Sequence, residues 1–190
     1  MAPFKPEQGM KAGPFGRGGS LGPKTLNLQT EGRPPPAKPP GGYRIESRVG
    51  VQAPAEVIWE LVYDIERWAD WNPTYAWKAG RIGLGEVLTL DLKLPGQPDQ
   101  EIHPKVLEWA PPSQLHWQLT MLGGMIKTLR YIEIDPLAEE ACVVDNGELF
   151  SGLMGPSLGK RMSGPVRRGF QAMNEALKAR AEAEWRARKG

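Results

Sequence analysis

Residues 158–177 read LGKRMSGPVRRGFQAMNEAL, and their spacing decides the fold. Leu158, Met162, Val166, Phe170, Met173 and Leu177 recur at intervals of four, four, four, three and four, which puts them on one face of a helix. Lys, Arg, Gln, Asn and Glu fill the rest of that stretch. An apolar stripe of this length has to lie on another apolar surface. Pro165 falls inside it, and either kinks the helix or separates a loose first part from a firm part that begins near Pro165.

The surface it needs is encoded upstream, in strands. In RIESRVGVQ, Ile45, Val49 and Val51 share a face at the two-residue period of a half-buried strand. APAEVIWELVYD follows, with Pro54 in a first turn and Val57, Ile58, Leu61 and Val62 at helical spacing. A second short helix is expected over residues 65–70, ended by WNP because a residue before proline avoids helical geometry. Alternation then returns. Leu88, Leu90, Leu92 and Leu94 share one face of EVLTLDLKL, and Leu115, Trp117, Leu119 and Met121 share one face of QLHWQLTML. Between them EIHPKVLEWA reads as one less regular strand, with Pro104 marking an edge or bulge. KTLRYIEI and ACVVDNGELF complete the set. No stretch of crossover length separates these strands, so antiparallel hairpins are the economical arrangement. The expected architecture is α+β: a curved antiparallel sheet of about seven strands around a long C-terminal helix, with two short helices after the first strand.

Composition bounds what such a domain does. Residues 1–43 contain 9 of the 19 prolines and 9 of the 23 glycines and carry a side-chain charge of +4, leaving the remainder near −2. Residues 1–42 are therefore expected to be a disordered, basic, Pro/Gly-rich tail, and residues 43–187 the folded domain. A slightly acidic domain argues against nucleic acid as partner. The sequence contains no apolar run of about 18 residues and no secretory h-region, so a cytoplasmic protein is expected. Cys142 is the single cysteine and lies in an apolar run, and the histidines number two, so neither a metal nor another cofactor is expected. GLMGPSLGKR imitates a phosphate loop, but Met154 and Arg161 stand where that motif needs Gly and Ser or Thr.

Two stretches carry a family likeness. VQAPAEVIWELVYDIERWADWNP, with Pro54, Val57, Trp59, Trp68, Trp71, Asn72 and Pro73, is one. ELFSGLMGPSLGKRMSGPVRRGFQAMNEALKARAE, with Phe150, Gly152 and Leu153 leading into the helix, is the other. Over residues 43–184 the chain resembles the START-like (SRPBCC, Bet v 1-like) superfamily, in particular its bacterial polyketide cyclase/dehydrase and lipid-transport branch. The resemblance implies a helix-grip fold with a hydrophobic cavity between sheet and helix. It supplies no catalytic signature.

Candidate site residues follow from that cavity. Trp71 and Trp77 belong to a tryptophan-rich segment that either glues the short helices to the sheet or rims the cavity mouth. Leu90, Leu119, Met121, Met154, Met162, Phe170 and Met173 are expected to offer an adaptable apolar lining. Trp117, Tyr131, Asn146 and Glu148, if they point inward, are its convergent polar groups. An inward Glu148 has a raised pKa and serves as general acid or base, with Tyr131 as the second catalytic candidate. Three functions remain open: binding or transport of a hydrophobic or aromatic, lipid- or polyketide-like molecule, a cyclase or dehydratase reaction, and protein interaction without a ligand. Lys160, Arg161, Arg167 and Arg168 suit transient contact with anionic lipid, or simply a solvated helix face. Oligomeric state is not encoded in any feature above.

Overall fold

The structure, a computed structural model, describes residues 42–190. Apart from Gly42, the expected tail lies outside the described residues. The chain runs β1 (Tyr43–Val51), α1 (Ala55–Tyr63), a 3₁₀ helix (Ile65–Asp70), β2 (Tyr75–Ala79), β3 (Thr89–Leu92) and β4 (Gln100–Ile102). It continues with β5 (Lys105–Ala110), β6 (Gln114–Met121), β7 (Ile126–Ala138), β8 (Ala141–Ser151) and α2 (Gly155–Lys189). Five strands pair antiparallel in the order β1-β8-β7-β6-β5, and three more in the order β2-β3-β4.

The expected strand across Pro104 is two strands, one in each sheet, which makes eight strands instead of about seven. Proline lacks the amide proton a continuous ladder needs. Its carbonyl is still used: Leu88 N donates to Pro104 O at 2.9 Å, and Val106 N donates to Glu86 O at 2.8 Å. Residues 86–88 and 104–106 thereby join the two sheets, so that the combined surface bends around α2.

The apolar stripe does what its spacing predicts. Phe170, Met173 and Leu177 are completely buried between α2 and the sheet. The helix is continuous over 35 residues and passes through Pro165. Its approach is close because Gly159 has no side chain: a Cβ there would stand 2.8 Å from the Phe150 ring and 2.9 Å from Tyr43. Gly152, at φ +84, turns the chain from β8 toward the helix.

The short helices are fastened by Trp68, which is fully buried. Its indole Nε1 donates to the carbonyls of Leu61 and Val62, each at 3.2 Å, and its ring packs 6.1 Å from both Tyr75 and Trp117. Asn72 then starts β2, its Oδ1 accepting from Thr74 N at 2.9 Å and Tyr75 N at 3.1 Å.

Candidate functional site

Curvature leaves the three-stranded sheet standing away from the first turns of α2. A cavity of about 310 Å³ lies between them. Leu92, Leu94 and Ile102 form one wall, Leu119 and Met121 of β6 a second, and Leu158, Met162 and Val166 of α2 a third. Gln97, Pro98, Gln100 and Arg161 also line it and are exposed, so they mark its rim. A recess of about 30 Å³ continues inward to Tyr75, Trp117 and Phe170. Helix geometry adds one polar feature at the rim: Pro165 cannot donate to the carbonyl of Arg161, four residues earlier.

Two polar side chains reach this otherwise oily space, Thr128 of β7 and Glu148 of β8. Glu148 is half-buried and lines both the cavity and its recess. Burial pushes its carboxyl pKa up, and the opposing pulls of the Arg130 cation and a Thr128 hydrogen bond do not cancel that rise. A carboxylic acid in this state can donate a hydrogen bond or a proton to a ligand oxygen.

Beneath the recess lies a buried guanidinium. Arg130 is 1% exposed and sits directly opposite both Trp117 and Glu148 in the sheet. Its Nη1 donates to the carbonyls of Tyr131 at 2.6 Å and Gly147 at 2.9 Å, and Nε donates to Tyr75 Oη at 3.3 Å. The cation stands 4.0 Å from the Phe170 ring centroid and 5.3 Å from that of Trp117. Carbonyls and aromatic faces thus replace the water a buried charge loses. The phenol of Tyr75, enclosed with it, has its pKa raised by burial.

Tyr131, expected inward, is on the opposite face of the sheet and does not line the cavity. Neighbouring strand residues alternate faces, and with Arg130 turned in, Tyr131 must turn out. There it covers Gly147, whose absent side chain leaves room for the ring, and Arg44 Nη1 donates to its hydroxyl at 3.2 Å. Burial raises the pKa of that hydroxyl also. His116 shares this outer face, its ring 3.0 Å from a Glu133 carboxylate oxygen.

Of the remaining candidates, Trp117 and Phe170 line the recess, and Leu119, Met121 and Met162 the main cavity. Leu90 and Met173 are wholly enclosed in the core. Asn146 does point inward, toward α2: its Nδ2 donates to Asn174 Oδ1 at 2.9 Å, while its Oδ1 is buried without a hydrogen bond, and Asn174 Nδ2 donates to Ser47 O at 3.1 Å. Trp71 lines a different, charged groove with Glu60, Arg180 and Glu184. Trp77 Nε1 donates to Gly80 O at 2.9 Å, and Met154 is exposed beside the start of α2. Cys142 is buried, its Sγ donating to Ala53 O at 3.4 Å, and burial raises its pKa. Thr128, Arg130, Leu92, Leu94 and Ile102 were not singled out for the site. The available signal for Arg130 was its shared parity with Ile132 and Ile134, both buried on the same inner face.

This geometry has counterparts. The family model for polyketide cyclase / dehydrase and lipid transport matches residues 43–182. Among solved structures, the ZhuI aromatase/cyclase from Streptomyces sp. R1128 superposes with a TM-score of 0.64 at 21% identity, over 78% of this chain and 99% of that one. A START superfamily protein from Mycobacterium smegmatis gives 0.57 at 23% identity, over 74% and 98% of the two chains. A norcoclaurine synthase point mutant from Thalictrum flavum gives 0.56 at 18%, over 75% and 96%. At these identities the likeness is one of fold. No curated protein matches the chain in sequence.

Proposed function

We propose that this chain, which belongs to the polyketide cyclase/dehydrase and lipid transport family, holds a hydrophobic small molecule in the space between its sheet and α2. The observation that carries this reading is the composition of that space: aliphatic and thioether walls on three sides with one acid, Glu148, and one hydroxyl, Thr128, at depth. Its volume of about 310 Å³ lies at the small end of the roughly 300–1,000 Å³ common for ligand pockets. If a methylene takes the ~30 Å³ of a liquid water molecule, the cavity accommodates a chain of about ten carbons or a fused aromatic of similar bulk. A carbonyl or hydroxyl on that ligand meets Glu148 and Thr128.

Native mass spectrometry of protein purified from its own host tests this. The expected result is a co-purifying small molecule, absent from Leu119→Trp, in which the indole occupies the cavity. A chain that arrives empty, and that takes up no apolar fluorescent probe, refutes the reading.

A second reading is favoured by one specific observation, a carboxyl that lines the ligand space beside Thr128 and directly across the strands from Arg130; burial raises its pKa. Glu148 then serves as proton donor and acceptor in a cyclisation or dehydration of a polyketide-like chain, the cavity fixing the chain's folded shape. In that case Glu148→Gln abolishes turnover and leaves ligand affinity nearly unchanged. A carrier shows no such dependence.

A further inference from the structure

Four large apolar side chains stand in solvent at one end of the molecule. Leu122 is 63% exposed, Met125 41%, Leu153 82% and Met154 44%. They come from two loops, the β6–β7 connection and the β8–α2 connection, which are tied together by Met154 N donating to Met125 O at 3.0 Å. Single exposed leucines are ordinary on protein surfaces, but four large apolar residues on two joined loops form a patch that needs a partner.

Leu122 adds an independent sign. Its φ is +50, a left-handed conformation that a glycine or asparagine adopts with little strain and a leucine does not. No buried contact rewards the leucine, since most of its surface is exposed. A strained apolar residue held outward is what a surface selected for insertion would show, at some loss of stability.

The two chain segments that carry the patch hold charge of one sign. Residues 109–132 and 149–174 contain no Asp or Glu, while Lys127, Lys160 and Arg161 lie beside the two loops and are exposed. Among the described residues these three make no ion pair with a carboxylate. Met121 directly precedes the patch, Leu158 is one turn beyond Met154, and both line the cavity, as does Arg161 at its rim.

We propose that the loops at 122–125 and 152–154 dock on an anionic lipid bilayer, with Leu122, Met125, Leu153 and Met154 entering the acyl boundary and Lys127, Lys160 and Arg161 at the level of the phosphates. An acidic protein partner would match the basic residues but gives no reason for four outward apolar side chains. A bilayer accounts for both. Docking in this orientation brings the cavity rim to the membrane surface, where an apolar ligand passes between the two without crossing water.

Vesicle flotation of the full chain tests the surface. Wild type is expected to float with vesicles of phosphatidylcholine and phosphatidylglycerol and only weakly with phosphatidylcholine alone. Leu122→Asn and Leu153→Asn are each expected to weaken binding by about tenfold or more, and Lys160→Gln by about fivefold on the anionic vesicles only. Leu122→Asn also relieves the backbone, so its melting temperature should hold or rise by about 2 °C. A loss of binding in that variant therefore cannot come from unfolding. Leu119→Trp, with the cavity filled, should still float, which separates this surface from the ligand reading above. Equal flotation of wild type and both leucine variants overturns the proposal. So does a concentration-dependent dimer in sedimentation that the leucine variants abolish, because the patch would then belong to a second copy of the chain.

Discussion

Arg130→Met removes the buried cation while keeping a flexible apolar stem against Phe170, and its consequences depend on pH. Two charge-assisted hydrogen bonds to the carbonyls of Tyr131 and Gly147 disappear, together with the stacking at 4.0 Å on Phe170. At about 1.5–3 kcal/mol for each such bond and about 2 kcal/mol for a desolvated cation–π contact, the gross loss is about 5–8 kcal/mol. Release from burying a guanidinium, which costs several kcal/mol, offsets most of it. At pH 5 a net destabilisation of about 1–2 kcal/mol is expected. Glu148 changes the account at higher pH. Its folded pKa is raised by burial and is held down in part by Arg130, its partner directly across the strands. Without the cation that pKa climbs further. An acid with a raised folded pKa weakens the fold once the pH passes its unfolded value of about 4.3, and the penalty grows until the pH reaches the folded value. The variant should accordingly lose about 3–5 kcal/mol at pH 8, the range for a buried charge deprived of its partner. Urea unfolding at pH 5 and pH 8, followed by tryptophan fluorescence, measures both losses. Arg130→Met/Glu148→Gln should recover most of the additional loss at pH 8. Equal destabilisation at the two pH values would refute the coupling between Arg130 and Glu148.

Three further outcomes are expected. Asn174→Ala leaves the buried Asn146 Nδ2 without its partner and removes a half-buried bond to the Ser47 carbonyl, and should destabilise by about 1–3 kcal/mol in the same urea assay. Trp68→Phe keeps the aromatic packing but strands the Leu61 and Val62 carbonyls, for a loss of about 1–2 kcal/mol by thermal melting, whereas the half-buried Trp71→Phe should lose less than about 0.5 kcal/mol. Cys142, buried and with its pKa raised, should react with a thiol reagent at neutral pH only at the rate of global unfolding; rapid labelling of the native protein would contradict its placement.

The parts of this molecule that were legible in its sequence are those where one face is apolar and the other polar. The α2 stripe, the β6 alternation and the β1 pattern each have one solution, because a shift of one residue would expose the whole set. β7 is different. In KTLRYIEI both faces are partly apolar, Leu129 and Tyr131 on one and Ile132 and Ile134 on the other, so alternation alone leaves its direction open. Placing Tyr131 among the inward polar groups puts Arg130 outward, which burial statistics favour. Those statistics fail where carbonyls, a phenol and aromatic faces assemble around a guanidinium from distant positions 75, 117, 147 and 170. Nothing local in the sequence reports that assembly. The cavity was legible as an expectation of the family likeness. Its β6 and α2 walls were legible in Leu119, Met121 and Met162, whereas the wall of Leu92, Leu94 and Ile102 was not, because its position depends on how far two sheets bend apart at Pro104.

The pairing of β1 with β8 closes a sheet across 90 to 106 intervening residues, from Val51↔Cys142 to Tyr43↔Phe150. During synthesis, β1 therefore leaves the ribosome long before the strand that will cover its edge, and α2, which seals both, follows later still. Until then the apolar side of the growing sheet has no cover, and folding of the nascent polypeptide must wait until α2 has emerged. Such an order of events makes deletions within α2 a problem of aggregation before they are one of stability.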